Sequence, residues 1–327
     1  MRYIIFSLVC VMFLTSCGND KKKSKEERFI QDSSGAINNV SVVAENDIWD
    51  GRVGEAIRAA LAKPIYGLPQ DEPMFTISQI PPAVFSGFVT KNRTVLMVKL
   101  NADKGIDFSE DVYAKPQKVI TISGKTREEL IEVLKENESK IIEIFRNAEI
   151  AERQRQMAKS PHSFKSIEEK LNLTIDFPSI YRIAKSTDDF FWIRKDITTG
   201  TSNLMIYTLP QSAIVRNDSV VNQIIKIRDS IGKQYIEGPV EGSYLATEEA
   251  YTPFHGETIL DNKPALETKG VWDVKNAFMG GPFINYAIED EINKRWVVLE
   301  GFAFAPSVDK RNYMLELEAI IKTVKIK

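Results

Sequence analysis

Both cysteines of the 327-residue chain, Cys10 and Cys17, fall at its start. From Gly18 onward no disulfide can form and no thiolate can bind a metal. The body must therefore be held by an apolar core and its backbone hydrogen bonds alone. Hydrophobic residues at 43% and charged residues at 27% supply ordinary globular proportions for that core. Lys and Arg number 43 against 45 Asp and Glu, and a net charge of −2 gives no bulk attraction to nucleic acid. The two histidines, His162 and His255, lie far apart, and no HExxH or CxxC spacing occurs. No metal site and no cofactor is expected.

Met1-Arg2 is followed by an apolar run from Tyr3 to Phe13, broken only by Ser7, and then by Leu14-Thr15-Ser16-Cys17. A positive start, a short apolar stretch and small residues form the layout of an export signal, here residues 1–16. The stretch is too short for a stable spanning helix. Its end resembles the bacterial lipobox, in which cleavage falls just before a cysteine. That resemblance implies that Cys17 becomes the first mature residue and carries a thioether-linked diacylglycerol, usually with a further acyl chain on its amine. Each buried methylene contributes about 0.8 kcal/mol, so two or three chains make the membrane a lasting partner. Gly18 to Arg28 has no apolar residue to bury, and residues 17–34 read as a charged flexible tether. Gly18, rather than Asp, after the cysteine points to the outer membrane. The lack of an acidic cluster beside Cys17 points to its periplasmic face.

The body reads as two halves, 35–160 and 161–327, divided at Pro161. In the first, strands are expected at Asn38–Ala44, Met74–Ile80, Thr94–Leu100 and Gln117–Ile122. Val53, Ile57 and Leu61 repeat at spacing four and mark a helix, with Asp47 as its cap and Pro64 as its stop. Thr126 to Glu129 has the form of a capping box before a long helix through Lys159. In the second half, Phe164, Ile167 and Leu171 mark a short helix. Strands are expected at Ile180–Lys185, Phe190–Lys195 and Asn203–Thr208. A helix capped by Asn217 carries Val221, Ile224, Arg228 and Ile231 on one side and ends at Gly232. Gly232 to Pro282 reads as irregular. Phe283–Ile288 and Trp296–Phe304 form a hairpin around Glu289-Asp290-Glu291. Pro306 with Ser307 or Asp309 opens a last helix striped by Tyr313, Leu317, Ile320 and Val324. Strands and helices do not alternate regularly, which points to α+β with antiparallel sheets packed with helices. Each half closes on strands followed by a helix, so two similar α/β sandwich halves are admitted, although no residue-level repeat is visible.

Candidates for chemistry are few. Ser123-Gly124-Lys125-Thr126 lies between a strand and a helix, but Val119 stands where a P-loop needs its first glycine, so no nucleotide is expected. His255, in an aromatic loop rich in Gly and Pro, and the Glu248-Glu249 pair are the weak catalytic candidates. No Gly-x-Ser-x-Gly elbow supplies a serine for His255. The most distinctive stretch is Glu267 to Tyr286. There Gly280-Gly281 precedes Pro282, and Trp272 and Phe278 could wall a ligand-binding loop.

That stretch, with Leu299 to Pro306 and Leu317 to Ile320, resembles a family of uncharacterised Bacteroidota lipoproteins catalogued as domain of unknown function 4837. Asp47-Ile48-Trp49, Tyr66 to Gln70 and Tyr113 to Gln117 fit the same pattern, which extends the resemblance over about residues 35–327. It implies a lipid-anchored envelope protein and brings no activity. The final strand pair and helix are loosely similar to PsbP-like sandwiches, and fold does not fix function. The expectation is a non-catalytic binding or assembly module with an envelope protein or glycan as partner. The alternative is an envelope hydrolase acting through carboxylates and His255.

Overall fold

The computed structural model describes residues 30–327. Cys17, the signal and most of the tether lie outside the described residues. The fold is α+β, with a five-stranded sheet, an eight-stranded sheet, two small two-stranded ladders and six α-helices among the described residues.

The first sheet is built from β1 (Asn39–Val43), β2 (Thr76–Ile80), β3 (Thr94–Leu100), β4 (Gly105–Glu110) and β5 (Lys118–Gly124), in the order β2-β1-β3-β5-β4. Two helices, α1 (Asn46–Trp49) and α2 (Arg52–Leu61), carry the chain back after β1, so β2 enters parallel. Pairings β1–β3 and β3–β5 are also parallel; only the edge strand β4 is antiparallel. The predicted stripe Val53, Ile57 and Leu61 is buried against Val40, Val42, Leu96 and Ile120. Each such side chain contributes about 1.5–3 kcal/mol through removal from water. Asp47 does not cap α2. It sits in α1 and pairs with Arg127 at 2.6 Å, while Gly51 takes the cap position.

The capping box starts α3 (Arg127–Met157): Thr126 Oγ1 accepts from the Glu129 N–H at 3.2 Å, and Glu129 Oε2 accepts from the Lys125 N–H at 2.7 Å. Leu130, Leu134, Ile141 and Phe145 bury its first part on the small sheet. Its last turns reach α6 (Arg311–Ile321) in the second half, where Ile150 packs on Leu315 and Ala319. Arg146 pairs there with Glu318.

The second half follows the short α4 (Lys165–Leu171). Its sheet is antiparallel throughout and comprises β6 (Arg182–Ser186), β7 (Phe190–Ile197), β8 (Gly200–Pro210), β9 (Tyr244–Thr247), β10 (Phe254–Leu260), β11 (Lys263–Lys275), β12 (Ala277–Asp290) and β13 (Arg295–Phe304). The order is β9-β11-β12-β13-β8-β7-β6, with β10 also on β11. One face packs Leu204, Ile284 and Leu299 under Leu317, Ile320 and Ile321 of α6. The other packs Met205, Phe283 and Phe302 under Ile224 of α5 (Val220–Tyr235). Eight antiparallel strands between two helical layers do not repeat the mostly parallel five-stranded sheet, so the halves are not copies of one another.

Three local readings of this half are corrected. Gly232 does not end α5; it lies inside the helix, where an added Cβ would stand 2.2 Å from the Leu245 carbonyl oxygen of β9. Residues 232–282 are not irregular but supply β9, β10, β11 and the start of β12. The period-2 burial of β11 runs through Thr268, Gly270, Trp272 and Val274, and Gly270 is small because the Phe283 ring lies over it. Neither Ser307 nor Asp309 caps α6. A carboxylate from the first half does so: Glu72 accepts from the Lys310 and Arg311 N–H groups.

Candidate functional site

Along β12, pairing is uneven. The strand meets β11 over most of its length, from Val274↔Ala277 to Ala265↔Ile288, but its register with β13 begins only at Phe283↔Phe302. Two local causes act together. Pro282 has no N–H to give to a ladder. At Gly281 a Cβ would lie 2.1 Å from the Ala303 carbonyl oxygen, so only glycine permits the approach of β13 there. Beyond that point the strands part. Ala277, Gly280 and Gly281 keep a register partner on β11 alone, and Phe278 and Met279 bulge between them with a partner on neither strand.

The gap is a groove of about 570 Å³. Trp272, Phe278, Gly280, Gly281 and Glu248 all line it, so five of the sequence candidates converge. Phe278 stands wholly in solvent, with a relative exposure of 111%. Trp272 is its opposite at 1% exposure, edge-on to Phe302 with ring centroids 5.6 Å apart. Its Nε1 is buried with no hydrogen-bond partner. Sequence reasoning does not find Asp273, Met279 and Phe304, which share the lining. The alternation Trp272, Val274 and Ala277, Met279 is the available signal, hidden by the bulge between Asp273 and Val274.

The groove is acidic. Its lining holds Glu248 and Asp273 and no Lys, Arg or His. Asp273 Oδ1 is buried without a partner, while Oδ2 lies 3.5 Å from Lys275 Nζ. Lys275 pairs more closely with Glu249, at 3.1 Å. Trp272 and Met279 also line a second, mostly apolar cleft of about 260 Å³ with Trp192, Asn203, Leu245 and Phe302. There the Trp192 Nε1–H donates to Asn203 Oδ1 at 3.1 Å.

The three catalytic candidates have separate partners. His255 lies on β10 with Nδ1 3.0 Å from Thr268 Oγ1, and it does not line the groove. Burial lowers its pKa, opposed by Glu257 and aided by Arg216. Glu248 Oε1 accepts from the Ala250 N–H at 2.9 Å, and Glu249 is exposed with Lys275. Among the described residues no group of three or more His, Cys, Asp or Glu is arranged to hold a metal ion.

A further polar assembly lies wholly inside, between α5 and the large sheet. Arg228 Nε stands 2.9 Å from Glu300 Oε1, and both side chains are fully buried. Asn285 Nδ2 donates to Glu300 Oε2 at 2.9 Å, Arg228 Nη1 donates to Thr247 Oγ1 at 2.9 Å, and the guanidinium lies 3.9 Å over the Phe283 ring. In the sequence, Arg228 is the one charge in the apolar stripe of α5, and Glu300 interrupts the apolar run Trp296–Phe304.

Residues 160–323 match the family described as Domain of unknown function (DUF4837). The chain belongs to that family. The DUF4837 match covers the second half, including the groove strands and α6. Residues 33–158 match a second family, Domain of unknown function (DUF8532). The resemblance read over residues 35–327 is thereby narrowed: Asp47 to Trp49, Tyr66 to Gln70 and Tyr113 to Gln117 fall in the second match. No curated protein matches the chain. Among solved structures, the Saccharomyces cerevisiae Ran-binding protein Mog1p is similar at 6% identity, with 51% of this chain and 95% of that chain covered and a TM-score of 0.33. That likeness is too loose to bear on the function of the DUF4837 chain.

Proposed function

We propose that the protein is a lipid-anchored envelope module that holds another envelope molecule without transforming it. The observation that carries the binding part is the groove, in which a wholly exposed Phe278 stands beside a strand edge with no sheet neighbour. An exposed large aromatic at an open concave site is a recognition feature. The separate engagement of His255, Glu248 and Glu249 supports binding over hydrolysis, because general acid–base work needs groups converging on one reacting atom. The anchor is read from Leu14 to Cys17, and the outer membrane, periplasmic side, from the residues after Cys17.

The test uses the full-length chain in growing cells of a lipoprotein-processing bacterium. A photo-crosslinking residue replaces Phe278 in one strain and the exposed Ile259 of β10 in another. Covalent adducts are expected at position 278 and not at 259, with radiolabelled palmitate incorporated in both. Cys17→Ser is expected to abolish the label and release the protein from membranes. A Cys17→Ser protein that remains membrane-bound would refute the anchor. Equal or absent adducts at the two positions would refute the binding site.

A further inference from the structure

The groove offers more than an apolar surface. Ala277 to Gly280 is a strand edge of roughly 13 Å at 3.3 Å per residue. Backbone N–H and C=O groups of a strand alternate between its two neighbours; here the β13 side is missing throughout, and at the bulged Phe278 and Met279 the β11 register is interrupted as well. Natural sheets blunt free edges with lysines, prolines or covering loops. This one is flanked by Pro282 but carries Phe278 in the open, while Met279 turns partly into the core.

We propose that the free edge at Ala277–Gly280 takes an extended segment of a partner protein as an added β-strand, an apolar side chain packing against Phe278 and Phe304 and a neighbouring Lys or Arg reaching Glu248 and Asp273. This rests on the binding reading above and names the class of partner. Strand addition draws affinity from main-chain hydrogen bonds and specificity from pockets for alternate side chains. The charge complement is specific: two carboxylates and no cation line the groove, and Asp273 Oδ1 is a buried acceptor with no donor. An arriving ammonium or guanidinium supplies that donor. A glycan fits less well. Sugar stacking needs an open aromatic face, and Trp272 is 1% exposed, which leaves Phe278 as the groove's one fully exposed ring.

The experiment titrates the full-length chain in detergent with defined probes and follows tryptophan emission and calorimetric heat. The probes are an alternating Lys-Ile heptapeptide, its Glu-Ile counterpart, a Lys-Ile peptide N-methylated at alternate residues, and chitohexaose. The Lys-Ile peptide is expected to bind at least tenfold more tightly than either modified peptide. Phe278→Ser, and separately Glu248→Gln with Asp273→Asn, are expected to weaken it at least tenfold. Phe278 touches nothing that holds the fold, so its variant keeps the parent melting curve. Equal binding of the N-methylated peptide refutes strand addition, and equal binding of the Glu-Ile peptide refutes the charge complement. Chitohexaose binding without peptide binding transfers the site to glycans. If no peptide binds while position 278 still forms crosslinks in cells, the strand proposal falls and the binding reading stands.

Discussion

Glu72 and Lys310 are 238 residues apart in sequence, and the carboxylate of the first closes the helix that begins at the second. Glu72 Oε1 accepts from the Lys310 N–H at 2.7 Å and Oε2 from the Arg311 N–H at 2.8 Å. The first N–H groups of a helix have no partner within it, and the dipole favours negative charge there. No side chain local to α6 supplies the cap. A residue of the link between α2 and β2 therefore ties the first half to the last helix. We expect Glu72→Ala to cost about 1–2 kcal/mol, with Glu72→Gln intermediate because it retains one acceptor. Urea unfolding of the full chain, with hydrogen exchange at the Lys310 and Arg311 amides, measures this. An unchanged midpoint with unchanged exchange would show the contact to be dispensable.

Arg228 and Glu300 make a second, pH-dependent test. Burial raises the Glu300 carboxyl above its ordinary range, outweighing the attraction of Arg228. A carboxyl raised on folding stabilises the protein fully only below its unfolded pKa, near 4.5, and that contribution is lost as pH rises through the folded value. Arg228→Met removes the attractive partner, so the raise grows. We expect a loss of about 3–5 kcal/mol at pH 7 that shrinks as the pH is brought down toward 4. The double variant Arg228→Met/Glu300→Met should recover most of it. A loss that does not change between pH 4 and 7 would contradict this account.

Gly281 and Gly256 separate steric exclusion from strand propensity. A methyl at Gly281 meets the Ala303 oxygen at 2.1 Å, backbone that cannot step aside without parting β12 from β13. At Gly256 the nearest atoms are those of the Phe254 ring at 3.6 Å, an ordinary contact. Gly281→Ala should cost about 3 kcal/mol, and Gly256→Ala should stay within about 0.5 kcal/mol. Thermal melts of the two variants decide it. Similar melting temperatures would mean that the β12–β13 junction is more pliable than its packing implies.

Elements with a pattern of their own are legible in the amino-acid order. Thr94–Leu100 is a strand residue for residue, and Val53, Ile57 and Leu61 occupy one buried stripe. Thr126 and Glu129 cap α3 as their spacing requires. The region from Gly232 to Pro282 reads as irregular because glycines and prolines there imitate stop signals. In β11 and β12 the glycines are sites where an aromatic ring or a carbonyl takes the space of a side chain, as the Phe283 ring does over Gly270. Trp272, Phe278, Gly280 and Gly281 stand out together in the sequence and do line one groove. Their roles differ from a pair of ligand walls: Trp272 is core, and Phe278 is the exposed wall.

What the amino-acid order decided unaided is whatever depends on neighbours within a few turns. That includes helix stripes at spacing three and four, the cap of α3, the strand at Thr94–Leu100, and a body without thiols that must rely on packing. Only the tertiary structure decided which carboxylate caps α6, which acid faces Arg228, and where β12 loses its second neighbour. Each of these turns on steric exclusion or desolvation between residues brought together from distant parts of the chain. Such terms act only between atoms in direct contact in the folded protein and leave no periodic trace in the sequence.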